Sequence, residues 1–295
     1  MADIAILDTR ERVLAGILFT GAAYLLFSMQ DASIKLLVVG ISVWQIMFIR
    51  SAIVLIACAA FGGRQLFDDT ARSRIVRPMF VRSAFTLAAW LCYYNAARYL
   101  QLAELTTIYY AAPIIVTVLS VLMLGEKVPM LRWLAVLIGF AGVFVACDPA
   151  HLGLSMPMLL VLAAALLWGI AIVLLRKTAM AERTTIQLIL NNFYFLVFSA
   201  VPALLLWQRP DWNQMLLLLS VGALGGVAQY LLFEGMKRAP VSIVAPFEYT
   251  SLVWAFALGF AIWGDVPRRE VLLGAALIFT AGLLIIGNEH FRKRL

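Results

Sequence analysis

YNAARYLQLAELTTIYYAAPIIVTVLSVLMLGE, from Tyr94 to Glu126, lies over FEGMKRAPVSIVAPFEYTSLVWAFALGFAIWGD, from Phe233 to Asp265, at a constant offset and without a gap. Each copy begins at a helix end with a basic residue (Arg98, Lys237) and passes a short break into an apolar span with a tyrosine in its first third (Tyr110, Tyr249). Each closes on glycine plus a carboxylate: Gly125 and Glu126 in one, Gly264 and Asp265 in the other. Strict identities are few, so the match is one of residue classes, and its weight depends on the flanks. These repeat too. Phe27–Lys35 (FSMQDASIK) lies over Trp168–Arg176 (WGIAIVLLR), each with an aromatic residue two turns before a terminal cation. GFAGV at Gly139–Val143 likewise matches FTAGL at Phe279–Leu283, small residues of the kind that let membrane helices approach closely.

What surrounds the repeat is overwhelmingly apolar. Of 295 residues, 64% are hydrophobic and 13% charged, too few charges to cover a water-soluble surface. A helix needs about 20 mostly apolar residues to cross a ~30 Å hydrocarbon layer. Ten runs qualify: Arg12–Lys35, Val43–Phe61, Met79–Arg98, Glu104–Leu124, Leu131–Cys147, Ser155–Leu175, Ile186–Leu206, Gln214–Met236, Ser242–Trp263 and Val271–Gly287, numbered here as spans 1 to 10. They are long and continuous, where barrel strands would be alternating segments of about ten residues, so the fold class is all-α, polytopic and membrane-spanning. The polar start, MADIAILDTRER, precedes a run too long for a signal-peptide core, and span 1 is expected to be retained. Cys58, Cys92 and Cys147 fall in or at the ends of apolar runs, where packing rather than a disulfide is expected.

The net charge of +7 raises the prospect of nucleic acid, but its distribution points to a membrane. Basic residues gather in alternate connections. Arg10 and Arg12, then Arg64, Arg72, Arg74, Arg77 and Arg82, then Lys127 and Arg132, then Arg176, Lys177 and Arg183, then Lys237 and Arg238, and finally Arg292, Lys293 and Arg294 fall on one side. The other side has Lys35, Arg98, Arg209, Arg268 and Arg269. By the positive-inside rule the first side is cytoplasmic, with both termini there and an even number of spans. The longest connection is the basic segment Gly62–Pro78. A break at Asp148–Ser155 divides the chain into residues 1–150 and 151–295, five spans each. Five is odd, so the second copy enters the membrane upside down. Two similar halves of opposite orientation can exchange conformations around a central site, the logic of alternating-access carriers.

The two glycine-carboxylate ends (LGEKVP, Leu124–Pro129; WGDVP, Trp263–Pro267), the APxxxxVLS and APFEYTSLVWA stretches, and WQIMFIRS (Trp44–Ser51) resemble the ten-helix EamA-type carriers of the drug/metabolite transporter superfamily over almost the whole length. Within that superfamily the chain is most similar to bacterial exporters of amino acids, particularly aromatic ones. The resemblance implies a basket of spans 1, 3, 4, 6, 8 and 9 around a cavity, with spans 5 and 10 at the periphery. It implies an inner-membrane carrier that exports small organic metabolites, with an importer or exchanger of the same superfamily as the alternative and a passive pore behind it.

Charges at membrane depth are functional candidates by default. Asp31 and Arg50 reach similar depths on spans 1 and 2 and are expected to form a structural ion pair, with Lys35, one turn on from Asp31, as a rival partner. Glu248 follows Pro246 in span 9; it is either a proton-titrating group or contact for a substrate amine, or a hydrogen-bonded carboxylate bracing the proline break. Glu234 has Lys237 and Arg238 at helical ion-pair spacing, and Glu126 and Asp265, at opposite membrane faces, are expected to cap the turn that follows each, with a hinge or gate role as the alternative. The rings Phe27, Trp90, Tyr94, Tyr109, Tyr110, Trp168, Tyr230, Phe247 and Tyr249 sit well inside their spans, and as a group suit flat apolar moieties and cations. Asn95 and Gln229 add amides that could hold an amino or carboxyl group. Expected substrate-binding residues are therefore Phe27, Trp90, Tyr94, Asn95, Tyr109, Trp168, Gln229, Tyr230, Phe247 and Glu248. The pair unmatched between the repeats, Tyr109 and Glu248, is where substrate choice is expected.

HExxH, GxSxG and the Walker phosphate loop do not occur, and His151 and His290 fall in a connection and a tail. No catalysis, metal, cofactor or direct use of ATP is expected. The expected partners are a small-molecule substrate and the lipid bilayer, with no nucleic acid and a monomeric state.

Overall fold

A backbone in hydrocarbon must satisfy its own N–H and C=O groups, and in the computed structural model the apolar runs do so as helices. The structure describes residues 2–124, 130–148, 155–178, 182–238 and 245–292. The helices are α1 (Ala2–Leu37), α2 (Val43–Ala71), α3 (Val76–Ala96), α4 (Leu102–Tyr109), α5 (Ala111–Leu124), α6 (Met130–Cys147), α7 (Met156–Thr178), α8 (Thr184–Leu205), α9 (Trp212–Arg238), α10 (Thr250–Trp263) and α11 (Arg269–Arg292), with a 3₁₀ turn at Ala245–Tyr249 before α10. Spans 1 to 3 are α1–α3, span 4 is α4 with α5, spans 5 to 8 are α6–α9, span 9 is the 3₁₀ turn with α10, and span 10 is α11. Among the described residues six helical stretches are long and apolar enough to cross a membrane, one of them, Leu102–Leu119, running through α4 into α5. Large apolar side chains that no helix covers, among them Leu18, Phe61, Phe140, Leu205 and Phe260, face outward, as a lipid-solvated surface requires.

The chain is thus a ten-span membrane bundle of two inverted five-helix repeats, and its packing is reciprocal between them. α1, the first span of one half, lies along α9, the third of the other; α7 lies along α3 in the same relation. Second spans pair with each other (α2 with α8), as do fifth spans (α6 with α11), while the fourth and ninth spans meet through α4 and α10. The α6–α11 pair crosses backbone to backbone. A Cβ on Gly142 would stand 2.7 Å from the Gly274 carbonyl oxygen, and one on Gly274 would stand 2.5 Å from that of Gly142. GFAGV therefore marks this crossing, although its partner glycine lies outside FTAGL.

Three expectations about the elements are corrected. Span 4 is not one helix: it breaks at Tyr110, because Pro113 has no N–H to donate to the Tyr109 carbonyl one turn back. The Gly62–Pro78 connection is largely helical: α2 continues to Ala71 through a break at Gly63 (φ 64°, ψ −178°), and α3 starts before Pro78, where a proline costs no helical hydrogen bond. Arg82, assigned by the charge pattern to the basic connection, is buried in α3 with its guanidinium 3.5 Å from Met79 Sδ. At the end of the second repeat copy, Gly264 (φ 69°) closes α10, its N–H reaching the Phe260 carbonyl and the Asp265 N–H that of Gly259. Gly125, Glu126 and His151 lie outside the described residues. The three cysteines are free thiols.

Candidate substrate cavity

Two broken spans meet at the centre of the bundle. Tyr110, at the interruption of span 4, and Tyr249, at the end of the 3₁₀ turn of span 9, hold equivalent places in the two repeat copies, and their rings stack at 5.2 Å with 19° between planes. The 3₁₀ turn leaves the Glu248 carbonyl outside a regular helical ladder. The Tyr110 and Ser251 hydroxyls, 2.6 Å apart, both turn to that carbonyl. The proline break is thus braced through backbone, and the Glu248 carboxylate is left for another task. Among the described residues it has no hydrogen-bond or ion-pair partner.

That carboxylate borders a cavity of about 160 Å³. Phe27 and Asp31 reach it from α1, Trp90 and Tyr94 from α3, Tyr109 from the end of α4 and Trp168 from α7. Tyr24, Ser28, Gln30, Tyr93, Leu102, Thr106, Tyr110, Leu232, Ser251 and Ala255 complete the lining. Spans 1, 3, 4, 6, 8 and 9 all contribute. The wall is aromatic and interlocked: Trp90 packs edge-on to Tyr94 and Phe195, and Tyr93 to Tyr94 and Tyr109, with centroids 5.0 to 6.2 Å apart. Rings held edge-to-face in this way are preorganised rather than free to collapse into the space.

Asp31 and Arg50 do not make the expected direct ion pair. Asp31 instead accepts the Tyr94 hydroxyl at 3.1 Å, and Gln30 Nε2 donates to the same hydroxyl oxygen at 3.1 Å. Arg50 is fully buried outside the cavity. Its guanidinium carbon lies 4.4 Å from the Trp90 ring centroid, Nη1 reaches Asn192 Oδ1 at 3.4 Å, and Nε and Nη2 have no hydrogen-bond partner. Close approach to α9 is what admits it: a Cβ on Gly225 would stand 2.9 Å from Nε. The acid thus meets Tyr94 and the base Trp90, two rings that pack edge-on to each other. Lys35, the rival partner, turns to the other end of α3, donating to the Leu100 carbonyl at 2.5 Å and lying 5.3 Å from the Trp263 ring. At the same end of the bundle Arg268 joins Glu104 at 2.7 Å and Asp148 at 3.9 Å. Glu234 forms the anticipated helical pairs with Lys237 at 3.2 Å and Arg238 at 2.5 Å.

Four sequence candidates are not among the cavity lining. Asn95 lies off the Trp90–Tyr94 face and donates back to the Leu91 carbonyl at 2.7 Å. Tyr230 is 44% exposed, since Leu232 is the residue α9 turns inward and a helix rotates about 200° in two residues. Gln229 keeps a buried Oε1 without a partner, and Phe247 packs toward Gly21 of α1, its Cδ1 3.7 Å from where a Cβ there would sit. Conversely, Gln30, Tyr93 and Thr106 were missed at the cavity and Asn191 and Asn192 behind it. Both asparagines are buried, Asn192 against Arg50 and Asn191 accepting from Ser83 at 3.3 Å. Two adjacent amides in the middle of an apolar run were the available signal.

The model of the EamA-like transporter family matches residues 14–147 and, a second time, residues 155–287. The chain belongs to this family. Among curated EamA-like relatives, the riboflavin transporter of Vibrio cholerae serotype O1 is 29% identical over 62% of this chain and 62% of its own length. The S-adenosylmethionine uptake transporter of Rickettsia bellii is 25% identical over 82% of each chain. The pseudopaline exporter CntI of Pseudomonas aeruginosa is 26% identical over 90% of this chain and 94% of its own. A crystal structure 20% identical in sequence superposes with a TM-score of 0.65 over 92% of this chain and 96% of the other, a likeness of fold. The EamA-like chain is accordingly a multi-pass membrane transporter, and similarity to aromatic amino acid exporters in particular is not what these relatives display.

Proposed function

We propose that this transporter is a secondary carrier of small organic metabolites that combine a flat ring with an amine, a class that takes in amino acids, their conjugates and the corresponding amines, and that it moves them outward by alternating access. The observation that carries the reading is the Glu248 carboxylate, unpartnered among the described residues, in an aromatic-walled cavity between the broken spans 4 and 9. A buried carboxylate without a partner is costly, and a substrate ammonium would relieve that cost while the rings take the flat part. Phe27, Asp31, Trp90, Tyr94, Tyr109, Trp168 and Glu248 are the proposed binding residues. The halves 1–150 and 151–295 are the units that rock, in a bacterial inner membrane with both termini cytoplasmic and the carrier monomeric. Uptake is the second reading on direction, favoured by relatives named for S-adenosylmethionine uptake.

The test is counterflow in proteoliposomes with labelled tryptophan, S-adenosylmethionine and riboflavin. Saturable exchange of at least one amine-bearing compound, reduced at least tenfold by Glu248→Gln, is the expected result. Flux without saturation or exchange would make the bundle a pore. Efflux compared with uptake in cells overproducing the protein decides direction.

A further inference from the structure

Charge around the cavity is unevenly compensated. Asp31 and Glu248 both line it, and no lysine or arginine is among the described lining residues. The two acids nevertheless differ. Asp31 has the Tyr94 hydroxyl as donor, Tyr94 packs edge-on to Trp90, and the Arg50 guanidinium lies 4.4 Å from the Trp90 ring centroid. Glu248 has no donor and no cation among the described residues. Arg50 cannot serve a ligand's carboxylate, because it is fully buried and takes no part in the lining.

We infer that the cavity selects ring-bearing substrates of net charge +1 over zwitterions, with Glu248 holding the cationic centre and Arg50, on the Trp90 ring, cancelling the second acid. This narrows the substrate class proposed above and rests on that reading. A zwitterion would bring its carboxylate into a space whose described lining holds two acids and no cation, and in a low-dielectric cavity like charges repel strongly. Loss of the Arg50 charge would leave Asp31 uncompensated and shift the preference towards more positive ligands. Arg50 is in this sense a specificity-determining residue that never touches substrate.

The experiment uses one ring with three charges. Indole-3-propionate (−1), tryptophan (0) and tryptamine (+1) are compared as inhibitors of counterflow of labelled tryptamine by the full-length carrier in liposomes, with binding followed in parallel by thermal stabilisation in detergent. The expected order is tryptamine tightest, tryptophan at least tenfold weaker and indole-3-propionate weakest. Glu248→Gln should compress the series to within about threefold, and Arg50→Met should steepen it while retaining a cooperative melt. Equal or tighter binding of tryptophan by the native carrier overturns the charge selection while leaving the carrier reading in place. An Arg50→Met carrier that melts cooperatively with an unchanged series overturns the role of Arg50. Failure of all three compounds both to bind and to exchange overturns the amine-and-ring reading itself, and the selection with it.

Discussion

Arg50 is a full charge, fully buried and without a carboxylate within 4.0 Å among the described residues, and a flat aromatic face is one of the few partners that can hold it there. A desolvated cation over tryptophan is worth about 2 kcal/mol, and the plane of the guanidinium is part of that contact. Arg50→Lys keeps the charge and loses the plane. The expected outcome is a loss of about 1–2 kcal/mol, read as a lower melting temperature in detergent, with the melt remaining cooperative. That Arg50 and Asp31 carry special duties was legible from their type and depth. That they fail to touch was not, because the phenol that Asp31 meets instead comes from Tyr94, 63 residues beyond Asp31.

At the scale of elements, both central spans are interrupted, and the interruptions support each other. Pro113 frees a carbonyl in span 4, the 3₁₀ turn frees one in span 9, and Tyr110 of the first caps Glu248 of the second. Tyr110→Phe removes that donor and keeps the stack on Tyr249. It should cost about 1 kcal/mol and lower the exchange rate more than ligand affinity, since the Glu248 side chain remains while its backbone loosens. Counterflow rate against tryptamine concentration, with a melting curve beside it, separates the two effects. A tyrosine in the first third of each span was visible in the repeat. That the two equivalent rings lie on each other follows only once the halves are docked.

For the molecule as a whole, helix association in lipid draws little from hydrophobic burial and depends on close packing. The α6–α11 crossing concentrates that dependence, since Gly142 and Gly274 place their carbonyls where each other's Cβ would be. Gly142→Ile should destabilise the bundle by at least ~2–3 kcal/mol, seen as lower membrane yield and a lower melting temperature. The tryptamine affinity of the protein that does fold should be nearly native, because α6 and α11 do not line the cavity. A melt unchanged from the native protein would show that the crossing opens without cost. The same distance from the chemistry explains why the small residues were recognisable as packing residues before their partners were known.

Class, number of spans, the repeat and its inversion are local or additive properties: hydropathy over a helix length, charges per connection, and the parity of five. The sequence by itself determined these, together with the residue types that a membrane makes expensive. Which of those residues converge was decided by tertiary structure alone, because a helix turns 100° per residue and a small rotation or break changes the side chain that faces inward. Leu232 rather than Tyr230 faces the cavity for that reason, Gln30 and Tyr93 join it beside Asp31 and Tyr94, and Glu248 keeps a free carboxylate because Tyr110, 138 residues away, braces its backbone instead.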